Sequence, residues 1–204
     1  MENVLYTIGH STHTAERLIG FFKIYKITAV VDVRSYPYSR MNPQFNRETF
    51  FSLLKVNDIN YLFLGKELGA RPEDPNSYVD GKVKFDQLAQ TELFQEGLNR
   101  VIQNMDNYRI ALLCAEKDPL TCHRAILVCR NLVTRGINIS HILEDGNLEN
   151  HDKASLRLLD ELGFEARELF RTESEIIDEA YSIRGEQISY KKSESTANII
   201  VREK

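Results

Sequence analysis

The segment Arg109–Arg135, RIALLCAEKDPLTCHRAILVCRNLVTR, constrains the fold more than any other part of the chain. Ile110-Ala111-Leu112-Leu113-Cys114 is wholly apolar and of strand length, the pattern of a buried strand. A polar turn with Pro119 follows, and Thr121 is placed to cap a helix that Cys122 begins. That helix carries Ile126, Leu127, Cys129, Leu132 and Val133 on an apolar face and stops at Gly136. Cys122, His123 and Arg124 then lie in the first turn, where unpaired amides and the positive dipole end attract anions. A thiol in that company is expected to lose its proton more easily than a free one. An anion pocket or a reactive thiol is the first expectation.

The rest of the chain alternates strand and helix signals. Val4–Ile8 reads as a strand ending at Gly9-His10-Ser11, Thr14–Tyr25 as a helix, and Ile27–Val33 as a second strand with Asp32 and Arg34 at its end. After an irregular segment with Pro37 and Pro43, Glu48–Val56 is a helix and Asn60–Leu64 a third strand. Gly65–Gly81 reads as a long loop, Phe85–Met105 as a helix that Gly97 interrupts, and Ile137–Leu143 as a fifth strand. The expected fold is therefore α/β: a mostly parallel sheet of about five strands with helices on both faces, Rossmann-like in its three layers. The expected organisation is an α/β domain over 1–145 and an acidic helical extension over 146–204, packed on or fraying from it.

Composition narrows the function. A net charge of −4 argues against indiscriminate nucleic-acid binding. Three cysteines, an odd number, do not make a disulfide framework. No apolar run approaches membrane-spanning length, and Met1-Glu2-Asn3 lacks the basic start of a secretory leader. A cytoplasmic, reduced protein without a membrane partner is expected.

In open parallel sheets ligands bind beyond the carboxyl ends of the strands. The residues at those ends are His10 and Ser11, Asp32 and Arg34, then Cys114 and Glu116 facing Cys122, His123 and Arg124. In the expected site Cys122, Glu116 and His123 act on the substrate, and Arg124, Arg34 and Ser11 hold its anion. His10, Asp32 and Cys114 support them. His13, His141 and His151 are expected at the surface or in turns, and Cys129 in the core. The segment Arg34–Arg47 carries three arginines and no acid among aromatics, so Tyr36, Tyr38, Arg40 and Arg47 suit base stacking and phosphate neutralisation. Lys66 and Arg71 in the next loop extend that positive rim.

Four motifs together carry a family resemblance: TIGHS (Thr7–Ser11), VDVRSYPYS (Val31–Ser39), YLFLGKELG (Tyr61–Gly69) and CAEKDPLTCHR (Cys114–Arg124). The chain resembles the domain-of-unknown-function 488 family over roughly its first two-thirds. The resemblance implies a compact α/β fold and no assigned reaction, although some members carry DNA-repair labels.

The leading expectation is an enzyme acting on a small anionic ligand, of phosphate or nucleotide type, with Cys122 as nucleophile or Glu116 and His123 moving protons. A nucleotide or single-stranded nucleic-acid binding module without catalysis is the alternative. Rhodanese-like sulfur transfer is disfavoured because neither cysteine heads a Gly- and Arg-containing cradle, and the Cys-x5-Arg spacing of tyrosine phosphatases is absent. No cofactor is predicted. A metal site on Cys114, Cys122, His123 and perhaps His10 is a further, less favoured alternative, because Cys-x7-Cys-His is not a usual zinc-knuckle spacing.

Overall fold

A computed structural model of the chain describes residues 4–164 and 171–192. From the N-terminus it runs β1 (Val4–Gly9), α1 (Ala15–Ile24), β2 (Ala29–Asp32), α2 (Arg47–Lys55) and β3 (Asn60–Phe63). A small hairpin follows, β4 (Tyr78–Val79) and β5 (Lys82–Val83), then α3 (Phe85–Ala89), α4 (Glu92–Asn104) and β6 (Ile110–Cys114). A π-helical segment, Arg124–Cys129, runs into α5 (Arg130–Val133), and β7 (Asn138–Ile142), β8 (Leu148–Asn150), α6 (His151–Leu162) and α7 (Glu173–Ile188) complete the described chain.

The main sheet has the order β3-β2-β6-β1-β7-β8. All neighbours pair in parallel except β8, which lies antiparallel on β7. The expected α/β sheet with helices on both faces is therefore present, with one strand more than expected. Alternation along β6 divides the core. Ala111 and Leu113 pack with α1 and α2 on one face. Ile110, Leu112 and Cys114 pack with α3, α4 and the π-helical segment on the other. Cys129, also on that face, is plain core as expected. Ala154, Leu158 and Leu159 of α6, and Ile176, Ala180 and Tyr181 of α7, are buried in this second core, while Glu173, Glu175, Asp178 and Glu179 stay exposed. The acidic stretch is thus the outer face of a packed helix. The last part of the expected extension, residues 193–204, lies outside the described residues, and Lys191 makes a bridge to Lys82.

Several expectations are corrected. The helix of residues 85–105 is two helices, and the break falls where Thr91 accepts the Phe94 N–H and caps α4, not at Gly97. Gly97 is mid-helix, where a Cβ would crowd Leu68 and Glu67. The long loop contains the β4–β5 hairpin, turned by Asp80-Gly81 with φ of 51° and 74°, the left-handed pair that an Asp-Gly turn favours. Thr121 does not cap a helix: it closes a 3₁₀ turn, Pro119–Thr121, that Asp118 caps. His13, His141 and His151 are buried rather than superficial.

His141 and His151 belong to a chain of hydrogen bonds through the core. Thr7 Oγ1 meets His141 Nδ1 at 2.7 Å, His141 Nε2 meets His151 Nδ1 at 3.0 Å, and His151 Nε2 meets the Tyr181 hydroxyl at 3.0 Å. Ser155 Oγ lies 2.9 Å from that hydroxyl. The chain ties α6 and α7 to the middle of the sheet. Burial pushes His151 down to about 4, and burial followed by the neighbouring His151 holds His141 well below the ordinary range. Both rings are neutral in the folded state but take up protons near pH 6.5 when unfolded, so their contribution is complete above pH 6.5 and is lost as pH falls toward 4. Urea unfolding should therefore show lower stability at pH 5 than at pH 7, by roughly 2 kcal/mol from His151 at about 1.4 kcal/mol per unit, with His141 acting in the same direction. Equal stability at the two values would show that these imidazoles are already charged in the folded protein.

Candidate functional site

The strand order makes the site. From β2 the chain moves outward to β3, whereas from β6 it moves the other way to β7, so the connections diverge between two adjacent strands. A crevice opens beyond the carboxyl ends at such a switch point. Asp32 is in register with Leu113, and Gly9 with Cys114, so the ends of β1, β2 and β6 arrive side by side. The cavity here is about 380 Å³. Arg34, Ser35, Tyr36 and Tyr38 line it from β2, Cys114, Ala115, Glu116, Thr121 and His123 from β6 and its loop, and Ala70 and Arg71 from the loop after β3. Ile188 and Tyr190 close it from the C-terminal side.

The loop after β6 is held from two sides. Arg124 is fully buried, and its guanidinium donates to the carbonyls of Glu116 (2.5 Å) and Lys117 (3.0 Å). It is thus a clamp on the loop rather than an arm reaching for a solute anion. On the other side the Glu116 carbonyl passes so close to Gly9 that a Cβ there would fall on it. His10 and Ser11 donate their backbone N–H groups to the carbonyls of Cys114 and Ala115 at 2.9 and 2.8 Å. Ser11 is held in this way with φ of 43° and is not among the lining residues.

Glu116 folds back over two cysteines. The Cys114 and Cys122 sulfurs each lie 3.0 Å from its Oε2, within hydrogen-bond reach. His123 Nδ1 lies 3.6 Å from Cys114 Sγ, and its Nε2–H donates to the Val33 carbonyl at 2.9 Å, which orients the ring. Cys122 has extended backbone and precedes the helix rather than beginning it. Its carbonyl accepts the Ala125 and Ile126 N–H groups, and its sulfur accepts the Arg124 N–H at 3.4 Å. The anion that this helix start favours is therefore the protein's own sulfur. One potential ligand atom from each of Cys114, Glu116, Cys122 and His123 lies within 4.8 Å of all the others. His10 is not in this group, so Glu116 supplies the fourth donor.

The charges are shared unequally. Burial pushes the Cys122 thiol up, but the hydrogen bond from Cys114 and the charge of Arg124 outweigh it and hold Cys122 well below the usual range. Burial, then the contact with Cys122, pushes Cys114 well up. Burial and the Cys122 sulfur also raise Glu116. His123 is raised because Cys122 outweighs the effect of burial. Both thiols are buried, at 1% exposure for Cys122 and 2% for Cys114, and of the two Cys114 borders the cavity.

Arg34 is fixed beside this group. Asp32 accepts from its Nε at 2.9 Å and its Nη2 at 2.6 Å, and also from the Tyr61 hydroxyl at 2.8 Å. Arg34 Nη1 meets His10 Nε2 at 3.2 Å, and His10 stacks on Phe45 with centroids 4.5 Å apart. Burial, then Arg34, pushes His10 down to about 4, so it is a neutral acceptor that positions Arg34. Farther out, Tyr36 and Tyr38 meet edge to face at 5.5 Å, and Tyr36 is 73% exposed. Arg40 and Arg47 are exposed on the same segment, Arg47 over the Phe63 ring at 4.6 Å. Arg71 lies 4.6 Å over the ring of Tyr190, which no motif in the sequence had marked.

Residues 14–130, more than half of the chain, match the family described as Domain of unknown function DUF488. The chain belongs to that family. No curated protein matches it. Among the described residues no helix is long and apolar enough to cross a membrane.

The contact between Gly9 and the Glu116 carbonyl yields a test of how the loop is set. Gly9→Ala should displace residues 115–118 and cost roughly 1–3 kcal/mol as an overpacked core position. Amide exchange over the loop should speed up in step. Unchanged stability and exchange would mean that the close approach does not position the loop.

Proposed function

We propose that the protein is an enzyme whose cavity takes a small anionic ligand carrying a ring, of the mononucleotide type, with Cys114, Glu116, Cys122 and His123 as its reaction centre. One observation carries the reading: a single cavity joins two arginines, Arg34 and Arg71, to the rings of Tyr36, Tyr38 and Tyr190, over a floor containing Cys114, Glu116 and His123. The Arg71 fork suits phosphate oxygens, Arg34 being paired with Asp32, and tyrosine faces suit a base. Arg71 is exposed and has no carboxylate partner among the described residues, so its charge is available to a ligand.

Cys122 contributes as part of the cluster. Its enclosure speaks against direct attack by a lone thiolate, since a nucleophile must reach the reacting atom. Titration calorimetry with a nucleoside 5′-monophosphate, the matching nucleoside and inorganic phosphate tests the ligand class. The nucleotide should bind best and weaken as salt is raised, and Arg71→Ala should weaken it about ten- to a hundredfold, the worth of a charged hydrogen bond. Equal binding of nucleoside and nucleotide, or none of either, would refute the reading.

The outward Tyr36–Tyr38 pair beside Arg40 favours a second reading, in which the ligand is the end of a single strand and further bases lie along Arg40 and Arg47. In that case Arg40→Ala and Arg47→Ala should weaken a short oligonucleotide and flatten its salt dependence while leaving the mononucleotide unchanged. Equal effects on both ligands would confine the site to the mononucleotide.

A further inference from the structure

We propose that Cys114, Glu116, Cys122 and His123 bind one divalent metal ion of the zinc class, through two thiolates, one imidazole nitrogen and one carboxylate oxygen. Bond lengths to zinc of about 2.3 Å for sulfur and about 2.0 Å for nitrogen or oxygen imply tetrahedral edges of about 3.3–3.8 Å between donors, about 3.5 Å where one is sulfur and the other nitrogen or oxygen. The donors here are 3.0, 3.0 and 3.6 Å apart along three edges, and no pair exceeds 4.8 Å. Half an ångström of outward movement by the Glu116 carboxylate, carried on an exposed residue, brings the short edges to that size.

Three further features fit an ion. The Nε2–H of His123 is committed to the Val33 carbonyl, which leaves the Nδ1 lone pair facing the sulfurs. A metal-binding imidazole is ordinarily oriented by such a bond on its other nitrogen. Cys122 Sγ accepts a backbone N–H, a contact that remains open to a metal-bound sulfur. The wholly buried guanidinium of Arg124 donates only to carbonyls among the described residues and needs negative charge nearby.

The charges then balance. On binding, each thiol loses its proton to solvent as its sulfur bonds the metal, and Glu116 binds as carboxylate. Two thiolates, one carboxylate and a divalent cation leave one negative charge beside the positive charge of Arg124. Two sulfurs with one imidazole select zinc-class ions over magnesium or calcium. Cys114 and Cys122 come from a strand end and a helix start, so the donors are presented by the scaffold without a knuckle spacing. Glu116 is the most exposed of the four ligands, and its release would open a coordination position toward the cavity. That role for the ion rests on the pocket reading, whereas the ion itself does not.

The test uses the full chain, purified without chelator and without added metal. Elemental analysis should find about one zinc-class ion per chain. Cobalt(II) added to the chelator-stripped protein should give intense tetrahedral bands and thiolate-to-cobalt charge transfer, both displaced by zinc. Glu116→Ala, at an exposed position, should keep the charge transfer while weakening cobalt binding at least about tenfold. Cys122→Ser should lose about half of the charge-transfer intensity. Cys129→Ala should change neither. A metal-free protein whose cobalt spectrum lacks charge transfer would overturn the proposal, as would cobalt affinities unchanged in both Glu116→Ala and Cys122→Ser. Nucleotide affinity measured on the stripped protein is a separate readout, so failure of the pocket reading and failure of the metal site are distinguishable.

Discussion

The buried guanidinium of Arg124 is the contact on which the site depends. A cation inside a protein is tolerated only when its donors are satisfied and its charge is met, and removing its partners costs several kcal/mol. Arg124 satisfies two donors on the carbonyls of Glu116 and Lys117, which pins the loop between β6 and the helix that follows. Gly9 leaves room for the Glu116 carbonyl on the opposite side. With its backbone gripped in this way, Glu116 turns its carboxylate onto two sulfurs that lie eight positions apart in the chain.

The four grouped side chains cannot be treated as independent titrating groups. Lowering one thiol raises the other and raises Glu116, while His123 becomes easier to protonate. Arg34 belongs to a different system: Asp32 neutralises it and His10 steadies it, so it presents a fixed face to the cavity without entering the cluster.

Much of the fold could be read from the chain because β6 announces itself. Its five apolar residues, and the alternation of strand and helix around them, suffice for a parallel sheet. Strand order could not be read, since it depends on contacts between residues more than a hundred positions apart, such as Thr7 with His141. β8 was invisible at three residues with one apolar side chain. The burial of His141 and His151 was missed because neither carries a partner nearby in sequence, and each is satisfied by the other. Asp118 caps the 3₁₀ turn, although Thr121 is the residue directly before the helix signal. Within the candidate site, four of the strand-end residues that the sequence singles out, Arg34, Cys114, Glu116 and His123, line one cavity. Glu116 as a bridge between two thiols, and Tyr190 as a wall of the cavity, could emerge only from the folded chain.

Whether these four side chains form one coordination centre is read by X-ray absorption at the zinc edge on the protein as isolated. Two sulfurs at about 2.3 Å and two nitrogen or oxygen atoms at about 2.0 Å should surround the ion. A bound ion with no sulfur neighbours, or a Cys114–Cys122 disulfide with no edge at all, would contradict it.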